Sequence, residues 1–171
     1  MNYITSMASV AFILLFIVGC SPQTEEDVLQ DTKEAAMNTF EDEETIEANH
    51  EIDSFSFYLP NDLEVVEEDV FNVILEDGDQ TYIVFYNNLE SPLSELHYNS
   101  AKNDKSVLYE SFKDGEKFGY IRVVPGDDED YEIQIGVGGV KITTYTTLGD
   151  LDNEAPELMK IARSIAESEK K

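Results

Sequence analysis

Cys20 is the only thiol in the chain, and it follows an apolar run, Val10 to Val18, and one small residue, Gly19. The other chemistry-bearing residues are mostly carboxylates. Asp127-Asp128-Glu129-Asp130 stand in succession after Pro125-Gly126, with Glu132 close behind. Hard cations such as calcium take several carboxylate oxygens together, so these four acids are a candidate for weak, millimolar calcium binding. Their order is not that of an EF-hand, in which alternating acids precede a glycine and a bidentate Glu follows. A solvated acidic hairpin loop is the simpler account. Ser94 and His97 are three residues apart and could touch on a helix, but a triad also needs an orienting acid and oxyanion donors. With no second cysteine and only His50 and His97 as imidazoles, neither thiol catalysis nor a zinc site of the usual kind is supported. Gly136-x-Gly138-Gly139 falls between two predicted strands and reads as a hairpin turn, not a phosphate loop.

The apolar run before Cys20 is shorter than the ~20 residues that span a bilayer core, and it suits the central region of a secretory signal. The tetrapeptide Ile17-Val18-Gly19-Cys20 resembles the lipobox of bacterial lipoproteins. That resemblance implies a signal peptide over residues 1–19, cleavage before Cys20 and a diacylglyceryl group on its sulfur. It also implies a location on the extracytoplasmic side of the cell membrane. Two acyl chains, each methylene contributing ~0.8 kcal/mol on burial, give stable anchoring. With the one thiol consumed, the mature chain has no disulfide and must be held by its own core.

The formal charge is -26, from 37 acidic and 11 basic residues. A chain so acidic is repelled by nucleic acid and by anionic headgroups, which excludes a nucleic-acid partner. From Ser21 to Asp69 there are 17 acidic residues and Lys33 is the one base. Residues 20–50 therefore read as an acidic tether. A marginal helix is expected within it, capped by Thr24 with Asp27 three residues on, and Val28, Leu29, Thr32, Ala35, Ala36 and Phe40 near one face.

From residue 51 to 171 the pattern is that of an α+β domain. Phe55, Phe57 and Leu59 alternate in a strand that stops at Pro60-Asn61-Asp62. Three hairpins follow, turning at Asp77-Gly78, Asp114-Gly115 and Gly138-Gly139, residues that tolerate positive φ. These predict an antiparallel meander of about six to seven strands. Tyr82-Ile83-Val84-Phe85-Tyr86 is apolar on both faces and is expected to be central and covered on both sides. Pro156 to Ser168 is the strongest helix pattern, with Leu158, Ile161, Ala162 and Ile165 as its stripe. Ser91 to Ala101 predicts a short helix with Leu93, Leu96 and Ala101 inward.

The pattern Phe55-x-Phe57-x-Leu59-Pro60 at the start and Leu158-x-x-Ile161-Ala162-x-Ser164-Ile165 at the end resembles small Gram-positive lipoproteins of unknown function. That group is similar to the PsbP/Mog1-like α/β sandwich, and the resemblance covers about Ile52 to Ala166. It implies a fold and supplies no catalytic residues. The expected role is non-enzymatic: an accessory or binding protein held to the membrane by its N-terminal lipid and engaging an envelope protein or wall component. Two alternatives stand beside it, a divalent-cation-binding envelope protein and a hydrolase using carboxylates as acid and base.

Overall fold

The computed structural model describes residues 23–168, and Ile17, Val18, Gly19 and Cys20 lie outside them. The fold is α+β: a seven-stranded antiparallel sheet with a C-terminal helix packed against one face.

The first helix, α1 (Glu25–Glu41), opens with the expected capping box. The Thr24 hydroxyl accepts from the Asp27 amide, and the Asp27 carboxylate accepts from the Thr24 amide. The helix buries Val28, Thr32, Ala36 and Phe40, spaced four residues apart, against the C-terminal helix. Thr32 escapes an unmet hydroxyl by donating to the Val28 carbonyl. Lys33 pairs with Glu110 at 3.2 Å, and the Tyr131 hydroxyl donates to Glu25. The stretch expected to be a tether thus contributes a helix to the body of the fold. Its acidic residues Glu26, Asp31, Glu34 and Glu41 occupy the exposed face, while every fourth residue builds core.

Next comes a small hairpin of β1 (His50–Glu51) and β2 (Ser56–Phe57). The expected strand through Leu59 is cut to two residues. Leu59 is instead held by the Asn49 side chain, which accepts from its amide and donates to its carbonyl. Phe57 is fully buried, and Phe55 meets Tyr86 edge-on at 5.3 Å.

The main sheet comprises β3 (Glu64–Glu68), β4 (Asn72–Asp77), β5 (Gln80–Tyr86), β6 (Leu108–Lys113), β7 (Phe118–Pro125), β8 (Asp130–Val137) and β9 (Val140–Thr147). The three expected hairpins form at the expected turns. The strand order, β3-β4-β5-β9-β8-β7-β6, shows that the meander is broken once. After β5 the chain crosses to the far edge, runs back through three hairpin steps, and docks β9 beside β5 with Val84 opposite Ile142. The crossover carries α2 (Leu96–Ala101) and passes hard against the β8–β9 turn. A Cβ on Gly138, which has φ +56°, would lie 2.6 Å from Pro92 Cα, and one on Gly139 would lie 2.4 Å from the Asn87 carbonyl oxygen. These glycines serve both the turn and the close approach of the crossover.

The second long helix, α3 (Leu151–Ser168), starts five residues before the expected Pro156, after a single 3-10 turn at Leu148–Asp150. Pro156 therefore sits inside the helix, where it lacks the amide that would bond one turn back. Leu158, Ile161, Ala162 and Ile165 are buried as expected, joined by Leu151, Ala155 and Met159. Arg163, 2% exposed, is enclosed with them. It donates to the Thr39 carbonyl at 2.7 Å, the Glu44 carbonyl at 3.1 Å and the Glu167 carboxylate at 3.0 Å. A buried guanidinium is tolerable only when its donors are met in this way. Here it also satisfies a carbonyl in the last turn of α1.

Candidate functional site

The sheet has two unlike faces, because successive side chains on a strand point to opposite sides. Val73, Val84, Ile142, Ile135 and Ile121 lie opposite one another across five strands, all buried toward the helices. Shifted by one residue, the other face carries the row Ile74, Ile83, Thr143, Gln134, Arg122 and Tyr109. Beside it runs Asn72, Phe85, Lys141, Gly136, Tyr120 and Ser111. Ile83 on this side is 45% exposed, so β5 is interior to the sheet but not covered on both faces.

What covers part of the second face is α2. Tyr98 stacks on Tyr109 with ring centres 4.5 Å apart and planes 7° from parallel, and it meets Phe118 and Tyr120 edge-on. The Tyr109 hydroxyl donates to the Tyr98 carbonyl at 2.6 Å. His97 stands edge-on to Phe85 at 5.4 Å, with Nε2 3.2 Å from the Gly139 carbonyl, which places the proton on that nitrogen. The expected inward residues, Leu93 and Leu96, are exposed. In this short helix the aromatic and imidazole side chains make the sheet contact.

Between the end of α2 and the sheet lies a cavity of about 250 Å³, lined by His97, Ser100, Ala101, Lys102, Asn103, Arg122, Gln134 and Lys141. Its charged lining is wholly cationic. Arg122 is 7% exposed and pairs with Glu132, whose other oxygen accepts from the Tyr145 hydroxyl. Its Nε is buried with no acceptor. Gln134 is fixed in place: its Oε1 accepts from the Tyr120 hydroxyl at 3.0 Å and its Nε2 donates to Thr143 at 3.2 Å. Burial holds the His97 imidazole below its ordinary range, and the charge of Lys141 pushes the same way against Glu90 and the Gly139 carbonyl.

The acidic counterpart is a cavity of about 380 Å³ between β5 and α3, bordered by Asp62, Asp77, Asp150, Glu154 and Glu157. Glu154 accepts from Gln80 Nε2 and from the Tyr82 hydroxyl, both at 3.0 Å. Burial raises its carboxyl above the usual carboxylate range despite those two bonds, with Asp150 and Asp62 adding to the effect. Burial and the nearby Glu154 carboxylate push the Tyr82 phenol up as well. Both bonds join α3 to β5 and give Glu154 a structural use.

The residues expected from sequence fall elsewhere. Asp127, Asp128 and Glu129 lie in the β7–β8 connection and Asp130 opens β8; Asp128 and Glu129 both have positive φ, and the Asp130 amide closes onto the Asp127 carbonyl. Among the described residues, no three His, Cys, Asp or Glu side chains are grouped so as to hold a metal ion. Ser94 and His97 do not pair as nucleophile and base, because the Ser94 hydroxyl donates to Glu90. Arg122 and Lys141 lie within β7 and β9, and no local motif marks them as a site. The available signal was a cation set between apolar neighbours, Ile121 and Val123 in one strand, Val140 and Ile142 in the other. Compared with protein-family models, curated proteins and solved structures, the chain matches none.

Proposed function

We propose that this chain is a lipid-anchored extracytoplasmic protein of the cell envelope with a non-enzymatic binding role. One observation carries the proposal: the single cysteine of the chain stands directly after an apolar segment and Gly19, in the sequence Ile17-Val18-Gly19-Cys20. A thioether-linked diacylglyceryl group there would hold the protein at the membrane surface, where two acyl chains are enough for lasting attachment. No helix among the described residues is long and apolar enough to cross a membrane.

The body of the fold fits a binding role in two respects. Helices α1 and α3 occupy one face of the sheet, and α2 covers only part of the other, leaving Ile83 and Tyr145 exposed on it. That open face also holds a polar cavity with fixed donors, the kind of concave surface on which small ligands are oriented. The β6 edge lies beside α1, whereas the β3 edge is acidic at Glu64, Glu67 and Glu68, a composition that discourages pairing with another chain.

Expression of the intact chain and of a Cys20→Ala variant in a bacterial host, followed by membrane fractionation, tests the anchor. The intact chain is expected in the membrane pellet, released by detergent and not by high salt. Cys20→Ala is expected to leave that fraction. Retention of Cys20→Ala in the pellet to the same extent, still resistant to salt, would contradict the proposal.

A further inference from the structure

We infer that the cavity between α2 and the open sheet face binds a small oxyanion, a carboxylate or a phosphate, through Arg122, Lys141 and Lys102. The inference gives a ligand class to the binding role proposed above and rests on that role for its biological setting. Its chemistry rests on the cavity alone.

Acidic residues outnumber basic ones 37 to 11, so a cavity placed at random on this surface would be bordered by carboxylates. The cavity beside Glu154 is bordered in that way, and so is one between α1 and β6, with Glu25, Glu26, Asp27 and Glu110 on its lining. This one has Lys102, Arg122 and Lys141 on its lining and no Asp or Glu. Most described cations in the fold are matched: Lys33 to Glu110, Lys113 to Glu95, Lys117 to Asp114 and Glu167, Lys160 to Glu157 and Arg163 to Glu167. Lys102, Lys105 and Lys141 make no ion pair within the described residues, although carboxylates are abundant. Two of these three unmatched lysines, Lys102 and Lys141, meet at one cavity, and in so acidic a chain that is the pattern of a site held open for a mobile anion.

Arg122 is more than nine-tenths buried and borders the cavity, yet its Nε has no acceptor. A buried guanidinium is expected to have its donors met, and leaving one unmet costs about 1–3 kcal/mol. Glu132 takes one terminal nitrogen and is itself held by Tyr145, which fixes the fork rather than filling it. Arginine's planar donor set matches the two oxygens of a carboxylate or phosphate edge. Lys141 adds a point charge from the neighbouring row of the sheet, its ammonium 5.5 Å from the Phe85 ring centre.

Size and rigidity narrow the ligand. About 250 Å³ lies below the ~300–1,000 Å³ of pockets that take drug-sized molecules, which favours a compact anion. The floor is preorganised, since Gln134 is locked by Tyr120 and Thr143, and α2 is fastened by the Tyr98–Tyr109 stack. His97 borders the cavity as a neutral ring at neutral pH, so the attraction comes from the three permanent cations.

Isothermal titration of the full chain in non-ionic detergent, with inorganic phosphate and separately with succinate, tests the inference. Both arms are run against chloride at matched ionic strength. Saturable binding of at least one probe is expected, weakened about tenfold or more by Lys141→Gln and by Lys102→Gln. Lys160→Gln, on the opposite side of the sheet, is expected to leave the affinity unchanged. Tighter binding of phosphate would assign a phosphoryl ligand, and tighter binding of succinate a carboxylate. Absence of saturation with either probe up to ~10 mM would overturn the inference, as would equal affinity in the intact chain, Lys141→Gln and Lys102→Gln. Lys102 is exposed and Lys141 half-buried, and neither belongs to the core, so the comparison does not depend on replacing Arg122. The membrane fractionation of Cys20→Ala reads the anchor separately, and either result can fail without the other.

Discussion

The ring of Phe40 occupies the place where a side chain on Gly119 would begin: a Cβ there would lie 2.6 Å from Phe40 Cδ2 and 2.7 Å from Cε2. Phe40 is the last core residue of α1, and Gly119 is in β7. The ring also meets Phe112 at 5.7 Å, and Lys117 Nζ lies 5.1 Å from its centre. A segment whose composition reads as a solvated tether is therefore seated in a slot built for it.

Two substitutions test that seat. Phe40→Ala is expected to cost about 3–5 kcal/mol in urea unfolding, as a large aromatic leaves a buried site. Gly119→Ala is expected to cost about 1–3 kcal/mol from overpacking. In the Phe40→Ala background the Gly119→Ala penalty should largely vanish, since contacting residues couple in a double-mutant cycle. Full additivity of the two would show that the helix does not dock there.

Arg163 provides a second test of the same docking. Its guanidinium reaches the Thr39 and Glu44 carbonyls, both on the α1 side, from the middle of α3. Arg163→Met removes those bonds and leaves Glu167 with Lys117 alone. A loss of about 3 kcal/mol is expected. Hydrogen exchange should locate it, with faster exchange at the end of α1 before the strands are affected.

Glu154 makes stability depend on pH in a defined direction. Burial raises its carboxyl above the unfolded value, so its contribution is fully present below the unfolded carboxylate range and is lost as pH rises through the folded value. Glu154→Gln keeps an acceptor for Gln80 and Tyr82 without the charge. The melting temperature of Glu154→Gln is therefore expected to exceed that of the intact chain at neutral pH. The difference should shrink as pH falls below the usual carboxylate range. A difference that stays constant across this range would show that ionisation of Glu154 is not the cause.

The three hairpins were legible because their signals are local, each a glycine-bearing turn between apolar alternations. The helix α3 was legible from its stripe, though its start was not, because Pro156 looks like a first-turn residue and lies in the second. Strand β3 was missed: Glu64-Val65-Val66-Glu67-Glu68 is acidic, lies at the sheet edge and carries an irregularity between Val65 and Glu67. The pairing of β5 with β9 joins residues far apart in sequence and left no local mark. The cationic cavity was hidden for the same reason, since Lys102 follows α2 while Arg122 and Lys141 lie in β7 and β9, and only the fold brings them together.

The most direct measurement is the intact mass of the protein extracted from membranes, with sequencing of its N-terminal peptide. The expected chain begins at Cys20 and carries the added mass of a diacylglyceryl group on its sulfur. A chain that retains residues 1–19, or a free thiol at Cys20, would contradict the envelope assignment.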